Sequence, residues 1–335
     1  MLNKQNIYCP IVKPVPDGIA RPLWSVMIPT YNCATYLRET LASVLAQDLG
    51  ADLMQIMIID DCSDDNPEAV VEELGKGRVE FYRQPQNVGI PHNFQTSLEK
   101  SRGYLVHQLH GDDVVRDTFY QKMQEVFERH PEIGAAFCRT IVMDEYGHWQ
   151  WITGQELNET GVLPSDWIQK LAGLDRIMTP SMVVRRETYE KLGGFDHRLR
   201  TTEDWEMWVR IAANYAIAHE IEPLALYRQR SNSNMHSNMA NGRHAEQMYR
   251  AITLFESYLA DRIPAAVYAQ AKQNSAFIAL QGADFCMREG NPAAAITQIK
   301  SAIGYSPSLR VIRSAGRILL WNGTLRMITS MTRRS

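Results

Sequence analysis

The sequence predicts an α/β fold on a mostly parallel sheet, followed by a region of helices alone, and three observations predict it. Short apolar runs of strand character alternate with segments of helical period through the first half of the chain. Three of those runs end in polar or acidic groups, Thr30-Tyr31-Asn32, Asp60-Asp61 and Asp112-Asp113, where the strands of an open sheet meet their ligands. From about Asn238 the strand pattern stops and only helical segments follow.

In order, residues 1–22 read as an irregular, Pro-rich lead-in. Trp24 to Ile28 is an apolar strand ended by Pro29-Thr30-Tyr31-Asn32, and a helix over 35–47 sets Leu37, Leu41, Val44 and Leu45 on one face. Met54 to Ile59 is a second strand, ending in Asp60-Asp61-Cys62-Ser63-Asp64-Asp65. Asn66-Pro67 then opens a helix, since proline fits a first turn. Val79 to Tyr82 is a third strand, Asn87-Val88-Gly89 its turn, and a helix over 92–101 leads to the strand beginning at Tyr104. That strand closes at Gly111, before Asp112-Asp113. Strand and helix alternating at this spacing argue for parallel units with right-handed crossovers, which bring the three polar ends to one sheet edge. Acids gathered there repel one another unless a cation sits among them, and hard divalent cations take such oxygens. The alternative for Asp112 and Asp113 is capping of a following helix.

The 335 residues suffice for about two domains, and 45% hydrophobic with 22% charged content is ordinary for a globular protein. A net charge of −3 gives no footprint for nucleic acid. Five scattered cysteines without a CxxC pair argue against a disulfide framework or zinc site and fit a reducing, cytoplasmic compartment. No signal peptide and no spanning apolar run is visible, so the expectation is a soluble protein or one attached to a membrane surface.

Val26-Met27-Ile28-Pro29-Thr30-Tyr31-Asn32, Ile58 to Asp65, Asn87-Val88-Gly89, His110-Gly111-Asp112-Asp113, Gly193-Gly194-Phe195-Asp196 and Thr202-Glu203-Asp204-Trp205 resemble the ordered motifs of family 2 glycosyltransferases. The resemblance spans roughly residues 23–235. It implies a GT-A fold over 23–237, a nucleotide-sugar donor, a divalent metal (Mg²⁺ or Mn²⁺) and inversion at the anomeric carbon. Carried over, it implies that Pro29, Thr30, Tyr31 and Asn32 line the nucleotide pocket, with Asp60, Gly89 and Asn93 around it. Asp61 would accept from the N3–H of a uracil-like base, Asp112 would meet the ribose, and Asp113 would hold the metal. Asp204 would be the general base and Glu203 would shape the acceptor site. The family often reads Leu-Asp-x-Asp-Asp where this chain has Leu109-His110-Gly111-Asp112-Asp113, so a histidine replaces the first acid.

A bound cation stabilises a departing diphosphate, and a carboxylate in reach of the acceptor hydroxyl typically contributes ~10²–10⁴-fold. Asp204 is equally the kind of acid a helix N-terminus favours. Trp205 and Trp208 beside it are candidate sugar-stacking surfaces. Tyr227-Arg228-Gln229-Arg230 resembles the family's Tyr-Arg-x-His loop with Arg230 in place of histidine. Arg228 or Arg230 would clamp the diphosphate and His236 would reach the metal, unless these are solvated loop residues. His107 reads as a hydrogen-bonded structural residue, and Trp149 and Trp151 as acceptor-site walls or hairpin packing.

Residues 238–335 divide into helices near 245–259, 264–288, 292–304 and 307–321, and the pattern around Gly290-Asn291-Pro292 resembles a single tetratricopeptide-like hairpin. After Glu289 there is no acidic residue, while Lys300, Arg310, Arg313, Arg317, Arg326, Arg333 and Arg334 alternate with apolar side chains. That segment reads as a membrane-surface element facing anionic lipid, or as a tail packing on its own protein or on a second subunit of a homodimer. The function expected is metal-dependent, inverting transfer of a sugar, from a UDP-sugar, to a glycan or lipid-linked saccharide in surface polysaccharide synthesis. A catalytically silent nucleotide-sugar-binding scaffold is the alternative. A nucleotidyltransferase would carry a Gly-rich basic loop where Pro29-Thr30-Tyr31-Asn32 stands.

Overall fold

A computed structural model describes residues 9–230 and 242–332, with side chains through residue 320. The chain divides into two compact units. One runs to Leu171 and resumes over Asp175–Arg230; the other comprises Ala172–Leu174 and the region from Ser231 onward.

The first unit holds a mixed sheet. Its opening elements are β1 (Trp24–Thr30), α1 (Ala34–Leu45), β2 (Met54–Asp60), α2 (Pro67–Gly75), β3 (Glu80–Arg83), α3 (Ile90–Lys100), β4 (Leu105–Gln108), β5 (Val114–Val115) and α4 (Phe119–Arg129). Then come β6 (Ile133–Met143), β7 (Trp149–Ile152), β8 (Gly161–Val162), α5 (Ile168–Gly173), β9 (Met182–Arg185), α6 (Arg186–Leu192), α7 (Glu203–Ala212) and β10 (Ala216–Arg228). The strand order is β3-β2-β1-β4-β9-β6-β10-β5, with β7 added on β6 and β8 on β10. β3, β2, β1 and β4 are mutually parallel, as the alternation of elements predicts. Every residue of β1 and β2 is buried, which is why both read as unbroken apolar runs rather than alternating ones.

β9 enters between β4 and β6 antiparallel to both, so β6 and its parallel neighbour β10 keep the direction of β4. The consequence for function is positional. β1, β2, β4 and β10 all finish at one edge, and β9 starts there because it runs the other way. The segment leading into β9, the single helical turn Thr179–Ser181, therefore lies at the same edge as the acidic strand ends.

Asp112 and Asp113 are followed by β5, and Thr118 precedes α4, so the helix-capping alternative for the two acids fails. The strand expected from Tyr104 to Gly111 is shorter, Leu105–Gln108.

The second unit contains α8 (Arg243–Leu259), α9 (Ala265–Arg288), α10 (Pro292–Tyr305) and α11 (Leu309–Thr332). Asn291 caps α10, its side chain accepting from the Ala294 N–H, and Pro292 occupies the first turn. Ala276, Ala279, Leu280, Ala283, Ala295, Ile299 and Ala302 form a buried seam to which Val311 and Ala315 of α11 belong. Small side chains at helical spacing let these helices approach closely. Leu309, Ile312, Leu319 and Leu320 of α11 are exposed.

Candidate functional site

The end of β1 and the turn after β4 touch directly. The Gly111 N–H donates to Pro29 O at 3.0 Å, and a Cβ at Gly111 would fall 2.7 Å from Thr30 Oγ1 and 2.9 Å from Cys33 Sγ. Only glycine lets His110-Gly111-Asp112-Asp113 lie against the first strand. Asn32 takes a left-handed φ of 47° and holds the loop after β2: its Oδ1 accepts from the Asp64 N–H, and its own N–H donates to Ser63 Oγ.

The acids at the end of β2 divide by environment. Asp60 is fully buried, accepts from Ser63 and pairs with Arg83, so it builds the loop. Asp61 Oδ1 and Oδ2 accept from the N–H groups of Val88 and Gly89 at 2.7 and 2.9 Å, and burial raises its pKa while those two bonds oppose the rise. Each carboxylate oxygen keeps a lone pair beyond these bonds, so a further donor can be accepted. Gly89, at φ +82°, supplies the turn that aims both amides at Asp61. Asn93 is buried and ties α3 to the sheet, donating to Ile59 O at 2.8 Å and accepting from Gln84. Tyr31 is exposed and Thr30 buried.

His110, Asp112 and Asp113 present ligand atoms all within 4.8 Å of one another. His110 Nδ1 lies 3.1 Å from Asp113 Oδ2, and its ring stacks on Phe94. Burial disfavours a charge on His110, but the bond to Asp113 outweighs it and raises the imidazole to about 9; burial together with Asp112 raises Asp113 to about 6. The histidine at the place of the first acid thus joins the cluster. Two carboxylates and an imidazole suit a six-coordinate divalent ion such as Mn²⁺, or Mg²⁺ with more water in its shell.

Arg228 and Arg230 divide in the same manner as the two acids of β2. The buried Arg228 side chain donates to Asp112 O, Glu145 O and Glu39, and its main-chain N–H donates to Asp113 Oδ1. Its guanidinium thus braces the metal-side loop, with one bond each from Nε, Nη1 and Nη2. Arg230 is less enclosed; its Nε makes an ion pair with Asp112 Oδ2 at 2.8 Å and its Nη1 donates to Asn32 O at 3.3 Å. His236 lies outside the described residues.

Asp204 stands in the first turn of α7. Its Oδ1 accepts from the Trp205 N–H and its Oδ2 from Thr179 Oγ1, both at 2.8 Å. Burial raises its pKa, against the pull of those two donors and of His110. Glu203, itself buried, is raised to about 8 by burial and by Asp204, and its Oε2 has no hydrogen-bond partner among the described residues. Asp175 is also pushed well up by burial and by Asp204. Asp112, Asp113, Asp175 and Asp204 all act on the Tyr227 phenol, and His110 feels both Asp113 and Asp204, so the acids of the separate motifs occupy one neighbourhood.

α7 is moored by Arg210, which pairs with Glu206 inside the fold and donates to Leu192 O and Gly194 O. That mooring gives Gly193-Gly194-Phe195-Asp196 a structural part, with Phe195 against Trp208 and the fully buried Asp196 paired to Arg198. Trp205 and Trp208 are buried, so they are core and not sugar-stacking surfaces. Their spacing of three residues sets both indoles on one face of the helix, and that face is turned inward. Trp149 and Trp151 are exposed on the β7 hairpin. His107 is hydrogen-bonded and buried, as read from sequence. Asp175 and Thr179 escaped sequence reading because neither belongs to a motif; the reversal of β9 is what brings Thr179 to the site.

Residues 25–193 match the family model described as glycosyl transferase family 2, and residues 151–274 match glycosyltransferase like family 2. An uncharacterised protein of Mycobacterium tuberculosis is 28% identical over 244 residues, covering 70% of this chain and 76% of its own. An uncharacterised glycosyltransferase of Haemophilus influenzae is 24% identical over 218 residues, with 63% and 67% covered. Among solved structures, S. aureus TarS 1-349 in complex with UDP-GlcNAc aligns with a TM-score of 0.63 at 17% identity, over 86% of this chain and 82% of its own. The mannosyltransferase PcManGT from Pyrobaculum calidifontis, in complex with GDP-Man and Mn²⁺, aligns with a TM-score of 0.54 at 18% identity, over 95% and 86%.

Proposed function

The chain belongs to glycosyl transferase family 2 and is a glycosyltransferase of GT-A fold, and we propose that it moves a sugar from a nucleotide-sugar donor to a saccharide hydroxyl with inversion, using Asp204 as general base. The observation that carries this reading is the shared position of His110: bonded to Asp113, it lies in the field of Asp204. A diphosphate at Asp113 and a hydroxyl at Asp204 would then flank one anomeric carbon. Membership in the family sets aside the silent scaffold.

In this reading Asp61 accepts from the base, and uridine is the favoured nucleoside because an N3–H suits a carboxylate already aimed by two amides. Asp113, Asp112 and His110 would hold a divalent cation, which would supply positive charge against the diphosphate as it departs. Arg230 leaves its ion pair with Asp112 to fork onto the same phosphates, which its planar guanidinium fits. Asp204 removes the acceptor proton as the oxygen attacks opposite the leaving group. The acids around it keep its basicity high by making a second negative charge costly.

Support for donor binding comes from the two structural neighbours, whose complexes hold UDP-GlcNAc in one case and GDP-Man with Mn²⁺ in the other. The acceptor proposed is a glycan or lipid-linked saccharide of a surface polysaccharide. No helix among the described residues is long and apolar enough to cross a membrane. Attachment to a lipid surface would fall to α11, whose exposed Leu309, Ile312, Leu319 and Leu320 lie among Arg310, Arg313 and Arg317. Loss of liposome co-sedimentation on deletion of residues after 306 tests that part.

The test of the whole is a thermal-shift comparison of UDP, GDP, UDP-GlcNAc and GDP-mannose with and without Mn²⁺, paired with Asp204→Asn. Metal-dependent stabilisation by a nucleotide, retained in Asp204→Asn while sugar transfer is abolished, is expected. Full turnover by Asp204→Asn removes that residue from the mechanism.

A further inference from the structure

Asp204 is held by a side chain that no motif of the family resemblance contains. Thr179, itself 3% exposed, donates its hydroxyl to Asp204 Oδ2 at 2.8 Å. It sits in the helical turn Thr179–Ser181, and that turn is fixed from two directions. On one side the Ser181 N–H and Oγ both donate to Met178 O. On the other, Pro180 O lies 2.9 Å from His107 Nε2, inside the fold.

The tautomer of His107 follows from elementary bonding rules. A carbonyl oxygen only accepts, so Nε2 carries the hydrogen and donates to Pro180 O. Nδ1 is then the acceptor and takes the Tyr120 hydroxyl at 3.3 Å. Burial lowers His107 to about 4, which leaves one ring hydrogen and keeps this polarity at neutral pH. Phe119 stacks on one face of the same ring, with centroids 4.6 Å apart. A directed chain thus runs from Tyr120 through His107 to the Pro180 carbonyl, beside the hydroxyl that meets Asp204.

We propose that Thr179 is a positioning residue for Asp204, and that the Tyr120–His107–Pro180 chain is the mount that keeps its hydroxyl aimed. With Oδ2 anchored by Thr179 and Oδ1 by the Trp205 N–H, the carboxylate plane is fixed and its remaining lone pairs face the acceptor. The inference rests on Asp204 being the base. Asp175, Glu203, His110 and Tyr227 are the ionisable groups facing it, and none of them reproduces the Thr179 bond.

The test compares Thr179→Val, which keeps shape and loses the hydroxyl, with Thr179→Ser, which keeps the hydroxyl. Aspartate labelled with ¹³C at the carboxyl is titrated by NMR in the full chain, Asp204→Asn assigning the signal. Release of nucleoside diphosphate from UDP-GlcNAc or GDP-mannose gives turnover. A hydroxyl bonded to the carboxylate favours its charged form, so Thr179→Val is expected to move the Asp204 midpoint upward and lower kcat about 10-fold with donor KM unchanged. Thr179→Ser is expected to restore both. A midpoint unmoved in Thr179→Val, or a Thr179→Ser as altered as Thr179→Val with both melting like the parent, overturns the inference. Should Asp204→Asn turn over normally, the base assignment fails first, and the midpoint measurement still decides whether Thr179 holds the carboxylate.

Discussion

The main-chain N–H of Arg228 donates to Asp113 Oδ1 at 2.8 Å across 115 residues of sequence. The bond ties the last strand of the sheet to the acid proposed to hold the metal. The Arg228 side chain continues the tie through Asp112 O, Glu145 O and Glu39.

Replacing Arg228 should therefore act first on stability. Arg228→Ala removes a buried guanidinium from three partly buried acceptors and is expected to cost about 1–3 kcal/mol in urea unfolding. Arg228→Lys should recover little, because one ammonium cannot reproduce the planar fork.

Arg230 is expected to behave in the opposite way. Its ion pair with Asp112 is partly exposed, and such pairs contribute about 0–1 kcal/mol. Arg230→Gln should leave the urea midpoint nearly unchanged and weaken UDP or GDP binding about 10-fold by calorimetry, a loss of ~1.4 kcal/mol.

The cation site has its own prediction. His110→Ala removes the nitrogen from the ligand set and should lower Mn²⁺ affinity, read by electron paramagnetic resonance of free Mn²⁺. His110→Asp restores the family's acid and should favour Mg²⁺ relative to Mn²⁺. Equal Mn²⁺ binding by parent and His110→Ala would exclude the imidazole as a ligand.

Glu203 gives a pH dependence of fixed sign. Its folded pKa, about 8, lies above the ordinary 4.5, so the folded chain holds this proton more tightly than the unfolded one. That contribution is fully present below about 4.5 and is lost as pH rises through about 8. Glu203→Gln removes the titration, so its stability relative to the parent should be greater at pH 9 than at pH 5 in urea unfolding.

Gly111→Ala tests how closely the two strand ends approach. The added carbon would meet Thr30 Oγ1 and Cys33 Sγ below 3 Å, and overpacking of this kind costs about 1–3 kcal/mol. Melting temperature measures it directly.

The apolar runs of β1 and β2 and the helical period of α1 determined, from sequence alone, a parallel sheet whose polar ends share an edge. Strand direction and side-chain period are local properties, and local properties survive in a linear reading. The ordered motifs likewise marked Asp61, Asp113 and Asp204. What the tertiary structure decided is which of several identical side chains is spent on the fold. Asp60 is buried against Ser63 and Arg83 while Asp61 meets the Val88 and Gly89 amides, and Arg228 is enclosed while Arg230 is not. Trp205 and Trp208 turned inward for the same reason. Burial and hydrogen-bond saturation depend on segments distant along the chain, as Thr179 reaching Asp204 through the reversed strand β9 shows. No spacing in the sequence encodes that meeting, because it exists only once the sheet has closed around it.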